Sequence, residues 1–322
     1  IARTIQQGSQ TTKTVIGTLG YSPVEQYKGK VEPRSDIYSL GATMHHLLTG
    51  LEPVPFKFEP LREINQNVSP DLENIVMKAL KDRVEERFSC AKEMLGTLLQ
   101  IGVKPQPTKA LHQITKVTSP QIVAQSASPG QISLADHLKP YTLLTDRYSI
   151  VEVLKIGKCG IVYLAKDSGL NNKFWVIKEM FALLTDGKSG HCYKGSQLFN
   201  LFTNEYERYD KEAIKLFKTK AGIISGLEHP YLARVVDWFF RNNRYYFVMD
   251  YVDGKTLFQI VKESKTFLNE SDIIYWSLQI CDVLSYMHKR NPPVIFGDLK
   301  PANIMINKEN NIKLIDFGLA NL

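Results

Sequence analysis

Between residues 35 and 49 the chain reads SDIYSLGATMHHLLT, with apolar residues recurring every three or four positions until Gly50 interrupts the run. That period is the signature of an α-helix with an apolar face, and a following glycine is a common stop. Amphipathic runs over 70–80 and 89–100 predict two more helices. From 102 to 145 the periodicity fades, and Pro105, Pro107, Pro120, Pro129 and Pro140 are scattered among Gln, Ser and Thr, the texture of a mobile linker. After Tyr148 the pattern becomes strand-like, with short Val-, Ile- and aromatic-rich runs over 148–154, 161–166 and 174–180. A charged helical stretch over 204–226 follows, then strands over 233–241 and 244–251 flanking the turn at Asn242-Asn243, a helix over 271–289, and a polar loop with short strands through Asp316. The division is therefore 1–101, a linker 102–145, and 146–322.

Composition narrows the class. The 322 residues are 43% hydrophobic, enough for a substantial core, and carry a formal charge of +7, which suits an anionic partner such as a phosphate or an acidic peptide. Nucleic acid is set aside because Lys and Arg are interspersed with Asp and Glu and form no single-sign block. Cys90, Cys159, Cys192 and Cys281 lack metal spacing and read as reduced thiols in a cytoplasmic setting. No run approaches the ~20 apolar residues of a membrane helix. The chain opens on Ile1, which suggests a fragment or a processed product.

The chemistry is concentrated after residue 150. Gly157-Lys158-Cys159-Gly160-Ile161-Val162 lies between two strands, where glycines let backbone amides approach phosphates. A plain hairpin turn accounts for it equally well. Lys178, in Trp175-Val176-Ile177-Lys178, is either a solvated strand end or a cation aimed at phosphates. The segment Phe296-Gly297-Asp298-Leu299-Lys300-Pro301-Ala302-Asn303-Ile304-Met305, with Asp316-Phe317-Gly318 beyond it, is more specific. It combines a candidate base for a hydroxyl proton (Asp298), a cation for a transferring phosphoryl group (Lys300) and two hard oxygen donors for magnesium (Asn303, Asp316).

These residues resemble the signatures of the eukaryotic-like protein kinases, of the bacterial serine/threonine type. The resemblance implies an α+β bilobal fold, with a small five-stranded antiparallel N-lobe bearing one helix and a mainly helical C-lobe. It implies ATP and Mg2+ as cofactors and Ser/Thr-containing proteins as substrates. Met249 then looks like the gatekeeper and Asp250 and Val252 like hinge residues, with Val162, Val176 and Met305 enclosing adenine and Gly157 and Gly160 covering phosphates. In the first hundred residues Gly17-Thr18-Leu19-Gly20-Tyr21-Ser22-Pro23-Val24-Glu25 resembles the end of an activation segment. Glu25 and Arg87 match a buried ion pair, and Asp36 matches the helix aspartate that holds the catalytic-loop backbone. Thr11, Thr12 and Thr14 are candidate phosphorylation sites that loop polarity explains as well, and Thr18 is expected to play a structural role near Asp298.

The motif order is reversed, with the C-lobe segment preceding the N-lobe segment. Ile1-Ala2-Arg3-Thr4 and Leu319-Ala320-Asn321-Leu322 occupy the same place after the D-F-G motif, a duplication that points to two tandem kinase domains cut across rather than a clean permutation. The complementary parts are nevertheless expected to pack as one composite fold, since a linker of about 40 residues can extend roughly 130 Å. Lys155 replaces the first glycine of the loop, Gly297 the arginine before the catalytic aspartate, and Lys220 the helix glutamate expected to pair with Lys178. Glu212 lies two turns earlier, roughly 12 Å away. A nucleotide-binding pseudokinase without efficient turnover is therefore the alternative.

Overall fold

The computed structural model describes residues 17–102, 137–157, 160–180, 218–219, 221–241 and 244–316. Helix α1 (Val24–Tyr27) leads into α2 (Pro33–Thr49), followed by α3 (Leu61–Ile64), α4 (Pro70–Ala79) and α5 (Ala91–Gln100). Pro33 opens α2, where its missing N–H costs nothing, and the Glu32 N–H donates to Ser35 Oγ at 3.3 Å. Gly50 closes the helix at φ 71°, a left-handed conformation that glycine adopts without a Cβ penalty. Every residue from Ser35 to Thr49 is buried, so α2 is a central helix rather than a surface one.

Strands β1 (Leu143–Leu144), β2 (Tyr148–Gly157), β3 (Gly160–Asp167), β4 (Lys173–Met180), β5 (Val235–Arg241) and β6 (Arg244–Asp250) form one antiparallel sheet in the order β1-β2-β3-β4-β6-β5. The sheet has six strands, not the expected five. The additional edge strand comes from the stretch assigned to the linker. Leu144 is buried there, and the Leu138 N–H donates to Tyr163 Oη at 3.1 Å, so the last linker residues are fastened to the small sheet. A second sheet, β7 (Gly254–Thr256), β8 (Ile304–Asn307) and β9 (Ile312–Leu314), lies beside helices α6 (Leu257–Glu263) and α7 (Glu270–His288). Helix α6 was not anticipated. Thr256 caps it by accepting from the Gln259 N–H, while Gln259 Oε1 accepts from the Thr256 N–H. Residues 218–219 and 221–225 are helical and Gly226 lies in a turn; residues 204–217 and 220 of the helix expected over 204–226, and the Asn242-Asn243 turn, lie outside the described residues.

One apolar core takes Tyr21, Ile37, Leu40, Met44, Leu72 and Met94 from the first hundred residues and Leu257, Ile280, Leu284, Phe296 and Leu314 from the last seventy. Helices α2 and α5 both pack on α7. Polar pins reinforce this packing: the Ser69 N–H and Oγ donate to the two carboxylate oxygens of Glu270 at 2.7 and 2.6 Å. Arg87, with a fully buried side chain, pairs with Glu25 at 2.7 Å and also donates to the carbonyls of Lys81, Arg34 and Asp82. The ion pair expected from sequence is thus in place.

A second, smaller core on one face of the six-stranded sheet gathers Tyr148, Ile150, Tyr163, Trp175, Ile177, Tyr246 and Val248. The buried Asp167 accepts from Arg147, the Gly169 N–H and Trp175 Nε1. These donors, Arg147 foremost, hold its carboxyl below the usual carboxylate range despite burial.

Two outcomes are expected. Arg87→Ala leaves Glu25 without its partner in a mostly buried setting and should lower unfolding free energy by about 3–5 kcal/mol, read by urea denaturation. The Asp167 contribution is present above the unfolded value near ~4 and fades as pH falls through the lower folded value. The stability gap between the parent and Asp167→Asn should therefore be wide at neutral pH and narrow as acid is added.

Candidate active site

The loop after α7 is fixed by buried apolar anchors at Val294, Phe296 and Leu299, which leave Asp298 between them facing outward. Asp36, on α2 and fully buried, receives that loop. Its Oδ2 accepts from the Phe296 N–H and its Oδ1 from the Gly297 N–H, both at 2.8 Å, and His288 Nε2 lies 2.9 Å from Oδ2. Gly297 has φ 76°, and this left-handed turn lets successive amides face one carboxylate. Gln26 Nε2 donates to the Gly297 carbonyl at 2.6 Å and so holds the loop from a second side.

Asp298 then becomes the hub of a polar cluster. Thr18 Oγ1 donates to its Oδ1 at 2.7 Å, and Lys300 Nζ reaches its Oδ2 at 2.6 Å and Thr18 Oγ1 at 2.5 Å. Asn303 Nδ2 donates to the Asp298 carbonyl at 2.8 Å and to Oδ2 at 3.0 Å. The side chains of Asp298 and Lys300 keep 22% and 21% of their surface exposed, enough for a substrate group to reach them.

A second group forms under the six-stranded sheet. Strand pairing sets Val162 opposite Lys178, Val176 opposite Met249 and Lys178 opposite Phe247, so Val162, Val176, Lys178 and Met249 share one face. Lys178 forms an ion pair with Asp316, whose φ of 62° is a left-handed conformation that aspartate tolerates. The Ile315 N–H donates to the Asn303 carbonyl at 2.9 Å, which places Asp316 directly after a residue bonded to Asn303. Met305 is a half-buried position of β8, between the fully buried Ile304 and Ile306.

Gly157 pairs with Gly160 where β2 turns into β3. A Cβ at Gly160 would lie 2.0 Å from the Glu179 carbonyl oxygen, so the hairpin can seat on β4 only without one. Asp250 accepts from the N–H and Nε of Arg234 at 3.1 and 3.0 Å, and this hydrogen bonding pushes the guanidinium upward. Val252, just beyond, is buried.

The structure therefore joins Asp298, Lys300, Asn303 and Thr18 in one cluster, pairs Lys178 with Asp316, and links the two through Asn303. Lys220, Glu212, Lys158, Cys159, Phe317, Gly318 and Thr11, Thr12 and Thr14 lie outside the described residues. Sequence reasoning missed three supporting groups. His288 on Asp36 and Gln26 on Gly297 carried no motif of their own. Glu179, fully buried, accepts from Tyr163 Oη at 2.7 Å and pairs with Arg244. Its only signal was a charged residue in alternation with the inward-facing Trp175 and Ile177.

The model of the protein kinase domain matches residues 148–322. The chain belongs to the protein kinase domain family. Serine/threonine kinases are among the relatives of this kinase domain, bacterial ones included. It is 32% identical over 226 residues to an Aurora kinase of Eremothecium gossypii, covering 66% of this chain and 57% of that protein. It is 24% identical to serine/threonine-protein kinase Sgk1-A of Xenopus laevis, covering 71% of this chain and 48% of that one. Over 113 residues, 33% of this chain and 20% of the relative, it is 40% identical to serine/threonine-protein kinase PknA of Nostoc. The chain thus spans about half the length of the first two curated relatives. Among solved structures, the PpkA-294 apo form is similar with a TM-score of 0.44 at 22% identity, covering 57% of this chain and 62% of that one. No helix among the described residues of the kinase domain is long and apolar enough to cross a membrane.

Removing the Asp36 carboxylate leaves two buried N–H groups of the Asp298 loop without an acceptor. Asp36→Ala should destabilise the kinase domain by about 2–5 kcal/mol, measured by urea unfolding.

Proposed function

We propose that this chain transfers the γ-phosphate of ATP to Ser or Thr hydroxyls of protein substrates, with magnesium, at a single composite site. In this reading residues 1–101 supply the later part of a kinase domain and residues 146–322 the earlier part, assembled in permuted order across the linker 102–145. The observation that carries it is the bridge from Thr18 to Asp298 and Lys300, which lie some 280 positions further along the chain yet within hydrogen-bond distance of it. A natural permutation and a piece spanning two tandem domains both yield this arrangement.

In this reading each residue of the cluster has a part. Asp298 accepts the proton of the substrate hydroxyl as its oxygen bonds to the γ-phosphorus and the bond to the β-phosphate oxygen breaks, releasing ADP. Lys300 offsets charge on the transferring group, and Thr18 fixes the rotamer of Asp298. Lys178 faces the α- and β-phosphates. Val162, Val176 and Met305 line the adenine slot, with Met249 at its back, Asp250 and Val252 at its edge, and Gly157 and Gly160 above the phosphates.

The donor set also fits magnesium. The Asn303 amide nitrogen is spent on Asp298, so what it offers a cation is oxygen, and Asp316 adds a carboxylate. Two such oxygens with phosphate oxygens and water suit this metal, which when bound neutralises charge between the β- and γ-phosphates. The free thiols Cys90 and Cys281 agree with a cytoplasmic setting.

A second reading, nucleotide binding without efficient turnover, is favoured by the engagement of Asp316 with Lys178 and by Lys220 at the helix-acid position. The two readings part in a radiolabel transfer assay on a generic protein substrate. Asp298→Ala is expected to cut transfer by about 100-fold or more, and transfer at the parental rate would remove Asp298 from its role. Lys220→Glu should raise transfer about 10-fold if a counter-charge for Lys178 is what the site lacks. A thermal shift with Mg-ATP and no transfer by the parent supports the second reading.

A further inference from the structure

Lys155 occupies a position where a side chain is unexpected in a phosphate-covering loop, and the strand register decides where that side chain goes. In β2 the pairing with β3 runs Val153 to Tyr163, then Lys155 to Val162, so Leu154 is an extra residue in the ladder. A β-bulge of this kind reverses the alternation of faces along the strand beyond it. Tyr163, paired with Val153, belongs to the small core on the far face, whereas Val162 and its β4 partner Lys178 belong to the face that carries Met249 and Val176. Directly paired residues share a face, so Lys155, Val162 and Lys178 form one row across three strands. An earlier shift between Ile150 and Glu152 turns the alternation once already, so the two shifts together leave Lys155 on the face opposite the core residues Tyr148 and Ile150.

Strand spacing puts the Cα atoms of Lys155 and Lys178 about 10 Å apart, within which two flexible lysine side chains can converge on one polyphosphate. Lys155 is exposed, so its ammonium is free to swing, whereas the Lys178 side chain is 14% exposed and engaged with Asp316.

We propose that Lys155 is a phosphate-contacting residue of the nucleotide site, a second cation that its pairing with Val162 sets on the same face as Lys178. The consequence is affinity for nucleotide polyphosphates that does not depend on a divalent metal, since the charge a metal ordinarily neutralises is met from above by Lys155. The inference rests on the nucleotide-binding reading of the site.

The test is equilibrium binding of ATP, AMP and adenosine to the full chain in EDTA, by isothermal titration, for the parent, Lys155→Gln and Lys155→Gly. Gln retains the side chain's bulk and removes its charge, whereas Gly also opens the slot. Both variants are expected to bind ATP about 10-fold more weakly, with a shallower dependence on salt, while adenosine binding stays unchanged and reports an intact fold. Parental ATP affinity in Lys155→Gln, or tighter binding in Lys155→Gly, overturns the assignment and leaves the nucleotide site standing. If the parent binds neither ATP nor adenosine, with or without magnesium, the nucleotide reading itself fails and Lys155 with it.

Discussion

A single carboxylate organises the molecule. Asp36 is fully buried, and an ion in that position is tolerable only if its lone pairs are met by donors. The donors come from the end of α7 and the loop beyond it, more than 250 positions away in sequence: His288 and the amides of Phe296 and Gly297. Burial of the anion and placement of the Asp298 loop are therefore one event. The apolar contacts of α2 and α5 with α7 bring the two segments together, but such contacts tolerate sliding, whereas two short hydrogen bonds to opposite oxygens of one carboxylate do not. The orientation of Asp298 toward Thr18 and Lys300 inherits that registration.

The small sheet divides its faces between support and chemistry. One face is packed with tyrosines, tryptophan and aliphatic residues and contains two buried acids, Asp167, held by Arg147 and Trp175, and Glu179, held by Tyr163 and Arg244. The other presents Lys178 next in sequence to Glu179. Each of these neighbours is locked by partners on its own side, so the strand between them has little freedom to roll. The Glu179 carbonyl also lies against Gly160, which ties the start of β3 to the same strand.

The helices and strands were legible because their periods are strong, and boundaries moved by only a residue or two at α2, α4 and β5. Asp298, Lys300, Asn303 and Asp316 were legible because they match a kinase-family signature within a short span. Three kinds of feature escaped. The strand at Leu143–Leu144 is two residues long, too short for an alternation to register, and sits in a proline-bearing stretch whose composition reads as linker. Helix α6 spans seven residues and is announced mainly by its capping box. His288 and Gln26 act through tertiary contacts that no local pattern encodes.

The complete enclosure of α2 bears on how the chain is made. Every side chain from Ser35 to Thr49 is shielded in the finished protein, yet α7 and the Asp298 loop emerge from the ribosome more than two hundred residues later. Bringing ends so far apart together costs about 5 kcal/mol of chain entropy before any contact rewards it. Within this chain, then, the central helix and the residues that shield it are made far apart, and their meeting is a late step of folding.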